Sequence, residues 1–290
     1  MIKIFITVLI CFVNSCIAKE NAPKSKADMY VDSLLSPVYS HSHMDARVEQ
    51  IVGEIYSDSE HLTKTSELLK FAINNHKYNY IVMRLLVKIR HPEMPQLIRE
   101  NYMYLDESCY SKLYRALNWS YGITDSALHN EYNQKIVNAL LDVVNDVEDQ
   151  YSRGYIYNVI RAIGTHEQVT RAKPNIHLET NARNRAELLS AFLRYNEKYT
   201  EQVVVHELQN KLDHWIISYV LRYGFQRFNR HDFLPFLYSL QTELENETDV
   251  RKIEDAKRTL ERLNEVIPYL EQKKAEGVKL GLPLDWGVVD

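Results

Sequence analysis

The chain has 290 residues, with 35 lysine and arginine side chains against 39 aspartates and glutamates, a formal charge of −4, and 3 cysteines. That mild acidity argues against bulk binding of nucleic acid, which needs a clustered basic surface. Once the first 18 residues are set aside only Cys109 remains, so no disulfide forms within one chain and the fold must hold by packing.

Residues 1–18 have the order of an export signal. Lys3 supplies a positive start, Ile4 to Val13 a short apolar stretch, and Asn14-Ser15-Cys16-Ile17-Ala18 a small or polar end. The stretch is too short to span a bilayer. Two cuts stay open. Cys16-Ile17-Ala18 suits cleavage before Lys19, whereas Val13-Asn14-Ser15-Cys16 is like a bacterial lipobox, with a lipid on Cys16 as the one membrane attachment. Either cut points to a bacterial periplasm or cell envelope, with secretion as a further destination. Losing the signal removes Lys3, which lowers the basic count from 35 to 34 and the charge from −4 to −5. Residues 19–27, KENAPKSKA, read as a polar tether.

Beyond the tether nearly every segment carries a helical period and almost none alternates like a strand. Helices are predicted over 28–37, 44–57, 64–75, 77–90, 93–105, 107–121, 131–147, 150–163, 184–197, 200–210, 211–228, 232–246 and 248–275. Gly122, Gly164 and Gly277 each follow such a pattern, where a left-handed cap is expected. The fold class is all α, with one helical-repeat domain over 28–275 and a tail over 276–290.

Two junctions repeat a phrase, IRHPEMPQLI (89–98) and NRHDFLPFLY (229–238). Pro95 and Pro235 then fall in the first turn of a helix, where a missing N–H has no intrahelical partner. His91 and His231 recur at the turn, which favours a structural bond to a helix end over catalysis. A second interval links neighbouring hairpins. Tyr110 and Tyr114 recur as Tyr151 and Tyr155, shifted by 41, and Leu117, Tyr121 and Gly122 recur as Val159, Ile163 and Gly164, shifted by 42.

A period near forty built of paired helices resembles the HEAT and armadillo repeats. The likeness rests on Pro95 in a first helix, Asp106 in the turn, Lys112 where arginine is usual, and the pair Ala116-Leu117. The first helix is about a turn longer than the HEAT pattern, and Ala116-Leu117 falls two residues early. The resemblance implies a right-handed α-solenoid of antiparallel hairpins and a protein-binding role. Residues 165–183 interrupt the rhythm with a polar run and Pro174, and read as a loop projecting from the stack.

Motifs for catalysis are scarce. His206-Glu207 begins like a helical zinc-protease motif, but Asn210 stands where the second histidine belongs. His41 and His43 lack companions at metal-ligand spacing apart from Asp45, and Cys109 lies on a helical stripe with Leu113 and Ala116 as a core filler. No cofactor, metal or catalytic residue is predicted.

Aromatic residues say more, since 11 of the 20 tyrosines fall between 78 and 157. On 107–121 Tyr110, Tyr114, Asn118 and Tyr121 share a stripe, and stacking the next hairpin adds Tyr151 and Tyr155 beside Trp119, Arg115 and Arg161. Tyrosine and arginine favour protein interfaces, so Tyr110, Tyr114, Arg115, Trp119, Tyr151, Tyr155 and Arg161 form the expected partner-binding set. Packing of rings between repeats is the competing account. The leading expectation is an exported, non-catalytic scaffold that binds another protein, with neutralisation of a toxin or enzyme (an immunity role) as one form of it. An enzyme assembled from dispersed residues and a structural lipoprotein are the alternatives.

The final predicted helix sets Ala256, Leu260, Leu263, Ile267 and Leu270 on one side, and Pro268 is expected to bend it or end it early.

Overall fold

The computed structural model describes residues 80–119, 130–195, 198–210, 214–247 and 250–281, with Met29, Gln50, residues 53–54 and 63–67, and Lys70. The chain divides into two compact units, Met1–Asn75 and His76–Asp290. Every described position of the first unit is helical, and Gln50 there donates to Glu54 one turn on, at 2.8 Å. The export signal with Cys16, the tether, and most of the helices expected over 28–75 lie outside the described residues, as does the tail beyond Gly281.

In the second unit the described residues are helical or turn, with no strand among them. The helices are α1 (Tyr80–Lys88), α2 (Met94–Asn101), α3 (Glu107–Trp119), α4 (Glu131–Val143), α5 (Gln150–Ile163), α6 (His166–Ala172), α7 (Asn175–Leu178) and α8 (Ala182–Phe192). They continue as α9 (Lys198–Asn210), α10 (His214–Val220), a π-helical segment Leu221–Gln226, α11 (Leu234–Glu245) and α12 (Val250–Ala275). No described helix is long and apolar enough to cross a membrane.

Side-chain caps explain where these helices start. Asp106, Asn130, Asp149 and Asn181 each accept a bond from the backbone N–H three residues on, which satisfies one of the donors that a helix start leaves open. Each helix then buries a broad apolar face. In α4 that face is Ile136, Val137, Ala139, Leu140 and Val143, and in α5 it is Ile156, Val159, Ile160 and Ile163. A fully buried residue of this size stabilises by roughly 1.5–3 kcal/mol. In chain order α1 packs on α3, α3 on α5, α5 on α8, α8 on α10 and the π segment, and α10 on α12. A second row pairs α2 with α4 and α4 with α6.

The repeated phrase builds two related joints. Pro95 and Pro235 both occupy the first turn of a helix, α2 and α11. Before each, the preceding helix closes with a residue in the left-handed region, Arg90 (φ 53°) and Asn229 (φ 50°). His91 N donates to the carbonyl of Leu86 and Arg230 N to that of Phe225, the six-to-one bond of a Schellman cap. The left-handed residue comes one position earlier in the second joint, and the spare residue is taken up by a 3-10 turn, His231–Phe233. The histidines consequently do different jobs. His91 Nδ1 accepts from Glu93 N at 3.2 Å, whereas His231 Nε2 meets the carbonyl of Val278 at 3.0 Å.

Three expectations are corrected. Residues 165–183 are not a projecting loop but hold α6, α7 and the start of α8, with Val169, Ala172 and Ile176 buried. Thr165 and Gln168 close a reciprocal capping box there. Gly164 is extended rather than left-handed (φ −63°, ψ 136°); a Cβ there would sit 2.5 Å from the Ile160 carbonyl, so the position needs glycine for close approach. Helix α12 does not end early, running through Pro268 to Ala275. Pro268 and Asn264 are both exposed, so the carbonyl deprived of its partner lies on the solvent side while Leu263, Val266 and Leu270 stay buried. Gly277 does adopt the left-handed cap, at φ 70°.

Candidate functional site

Helices α3, α5 and α8 lie side by side, and between them is a cleft of about 40 Å³. Glu107 comes from α3, Tyr151, Tyr155 and Asn158 from α5, and Asn184 and Glu187 from α8. The cleft stays narrow because α5 carries Gly154 here; a Cβ at that position would lie 2.7 Å from Asn184 Oδ1. At its rim the rings of Tyr114 and Tyr155 meet at 6.3 Å, tilted by 42°.

Beneath the cleft is a buried ionic centre. Arg161 is 3 % exposed; its Nη2 donates to Asn158 Oδ1 at 2.7 Å and its Nε lies 2.7 Å from Glu187 Oε2. The other Glu187 oxygen accepts the Tyr219 hydroxyl. Tyr219 stacks on Tyr223 at 4.4 Å and meets Trp215 at 5.9 Å, while the Arg161 guanidinium rests 5.2 Å from the Tyr223 ring centre. The π segment aligns this row, since it carries Tyr223 and Gly224 and delivers Arg227 at its end. Single π turns inside helices recur at functional sites. Gly224 permits the approach to α8, because a Cβ there would lie 2.5 Å from Leu193 and 3.5 Å from Ser190 Oγ.

Two more buried guanidiniums complete the centre. Arg194 donates from Nη1 to the carbonyls of Arg161 and Ala162 at 3.2 and 2.8 Å, and the guanidiniums of Arg194 and Arg227 each lie 6.0 Å from the Phe228 ring centre. Burial, followed by the like charge of Arg161, pulls the Arg227 guanidinium down to about 10. For Arg161 burial pulls the same way, but the adjacent Glu187 charge, with Tyr219 and Tyr114, outweighs it and holds the group above its ordinary value. Burial and the Glu187 charge push the Tyr219 phenol up, so it stays protonated and donating.

The residues expected to bind a partner separate into three groups. Tyr114 and Tyr155 are half-buried and meet, while Tyr151 (55 % exposed) and Arg115 stand in solvent. Tyr110 (1 % exposed) is a core residue and cannot present itself to a partner, and Arg161 supports the surface from below. Trp119 closes α3, but its side chain lies outside the described residues. The sequence reading overlooked Glu187, Tyr219, Tyr223 and Arg227. A signal was there in Trp215, Tyr219 and Tyr223, spaced by four along one helical face.

As for chemistry, the described residues include no group of three or more His, Cys, Asp or Glu side chains placed to hold a metal. Cys109 is buried, and burial with the neighbouring Asp106 charge pushes its thiol up to about 12, far from a reactive thiolate. What the arrangement offers is a polar cleft lined by Glu107, Arg183 and Glu187 among others, a tyrosine rim, and a buried ion pair beneath it. Comparison with known proteins returns no match, whether to a family model, a curated protein or a solved structure.

Proposed function

We propose that the chain is an exported, non-catalytic scaffold that binds another protein through the tyrosine and arginine face of α3 and α5. The observation that carries this reading is the Tyr114–Tyr155 contact at 6.3 Å, with Tyr151 and Arg115 exposed on the same two helices. Tyrosine supplies large contact area with a polar tip, and here its rings are held by a packed floor, so little freedom is lost on binding. The finer architecture is a right-handed solenoid of HEAT-like hairpins within the second unit. Its support is the two rows in which alternate helices pack in chain order.

The setting that suits the N-terminal pattern is a bacterial periplasm or envelope, and restraint of a toxin or enzyme there is the form of binding we favour. Mass measurement of the mature N-terminus separates a free Lys19 from a lipidated Cys16. The binding face is tested by capture from native envelope extracts with wild-type protein and with Arg115→Glu combined with Tyr151→Ala. One protein retained by the wild type and lost by the folded double variant supports the reading. Equal capture by both moves the interface elsewhere.

A further inference from the structure

Helices α3, α5, α8 and α10 begin along one edge of the second unit. The cleft brings together the first turns of α3, α5 and α8, through Glu107, Tyr151 and Asn184. Glu187 meets Tyr219 and Gly224 comes close to Leu193, so α10 and the π segment run beside α8 in the same direction. Of the six large apolar or aromatic side chains exposed among the described residues of this unit, five lie at that edge. They are Met103 and Tyr104 before α3, Tyr151 in the first turn of α5, Leu178 before α8 and Trp215 in the first turn of α10, each between 49 % and 66 % exposed. Single exposed apolar side chains are ordinary, whereas a run of them along one edge signals an interaction surface.

The same edge is negative. Residues 99–107, 142–153 and 171–183, which hold its turns, carry 8 acidic and 5 basic side chains, a charge of −3. Three of the basic ones are already tied, Arg99 and Arg171 to Asp142 and Arg153 to Glu179. Asp106, Glu107, Asp146, Glu148 and Asp149 are exposed. Helix dipoles do not undo this, because α2 and α4 end at the edge where α3 and α5 begin.

A partner of matching chemistry is basic and apolar at once. Neighbouring helices pack about 8–10 Å apart, so the anchors on α3, α5, α8 and α10 recur at about that step. In an α-helix every seventh residue returns to the same face after about 10.5 Å, whereas in a strand the third residue on, at about 10 Å, faces the opposite way. We propose that this edge docks a basic amphipathic helix of another protein, laid across the starts of α3, α5, α8 and α10 with an apolar side chain at every seventh position. The proposal rests on the protein-binding reading above, shares Tyr151 with it, and adds the chemistry of the partner. A second copy of the edge and an anionic bilayer both carry the wrong charge.

The test uses the full mature chain and a synthetic helical peptide with leucine at every seventh position and lysine around it, beside a copy with glutamate for lysine. The basic peptide should bind and the acidic copy should not. Raising salt from about 50 to 300 mM should weaken binding about tenfold. Leu178→Ala combined with Trp215→Ala should weaken it by more than about tenfold, and Asp146→Asn combined with Glu148→Gln by about threefold to tenfold, each variant checked as folded by thermal unfolding. Equal binding of the two peptides, binding unchanged in either folded variant, or a preference for anionic vesicles over the basic peptide overturns the proposal. A native partner lost by the Arg115→Glu, Tyr151→Ala variant but kept by the Leu178→Ala, Trp215→Ala variant also overturns it, while leaving the protein-binding reading intact.

Discussion

One buried carboxylate, Glu179, lies just before helix α8 and another, Glu187, within it, and they are finished differently. Glu179 is surrounded by donors: Arg153 reaches it at 2.8 and 3.2 Å, Asn181 N at 2.8 Å and Asn184 Nδ2 at 3.1 Å. Arg153 also donates to the carbonyls of Val147 and Glu148, which ties the turn before α5 to the turn before α8. Charges and donors are matched there, as a structural clamp requires. Around Glu187 the match is looser: Arg161 Nε lies 2.7 Å from Glu187 Oε2, yet neither atom makes an aligned hydrogen bond, nor do Arg161 Nη1 and Ser190 Oγ. A clamp is held by aligned bonds, whereas the Arg161–Glu187 pair is held by charge at close range.

The largest test of this contrast is removal of each arginine. Arg161→Ala strands a fully buried Glu187 charge and should cost about 3–5 kcal/mol in urea unfolding. Arg153→Ala leaves Glu179 with its bonds from Asn181 and Asn184, so the loss should be smaller, roughly 1.5–3 kcal/mol. Equal losses would erase the distinction between the two centres. Next comes the cleft between them. Gly154→Ala drives a methyl into Asn184, whose amide is already bonded to Gln150 O and Glu179, and should cost about 1–3 kcal/mol by thermal unfolding.

Acid separates the centres more gently. Burial works to raise the Glu179 carboxyl, but the bonds from Arg153, Asn181 and Asn184 together hold it below the ordinary value of 4.5. A depressed carboxylate stabilises the fold above its unfolded value and loses that contribution as pH falls through the folded one. Tm should therefore decline below about pH 4.5, and Glu179→Gln should flatten that decline. The smallest effect belongs to the rim, where Tyr151→Ala should shift stability by less than about 0.5 kcal/mol while partner capture drops.

Much of the second unit was legible because period and caps agree. The predicted 150–163 coincides with α5, since Asp149 caps it and apolar residues recur on one face. Both first-turn prolines were readable for the same local reason. Residues 165–183 were misread because α6 and α7 are only 7 and 4 residues long, too short for a period to show beside Pro174. The T-x-x-Q of Thr165 and Gln168 was the overlooked cue. Arg161 was harder to place. It sits beside the apolar stripe, and only contact with α8 and the π segment turns that position inward. Burial of a charge depends on what arrives from elsewhere in the chain, and Glu187 lies 26 residues on.

The π segment makes one cation's position a matter of how the chain is wound. A stretch of six residues, Leu221–Gln226, winds more loosely than the helix feeding it. Rewinding all six as an ordinary α-helix, at about 100° per residue, would swing everything after them through about 100°. Arg227 would remain in the chain, its chemistry untouched, and face a different neighbour.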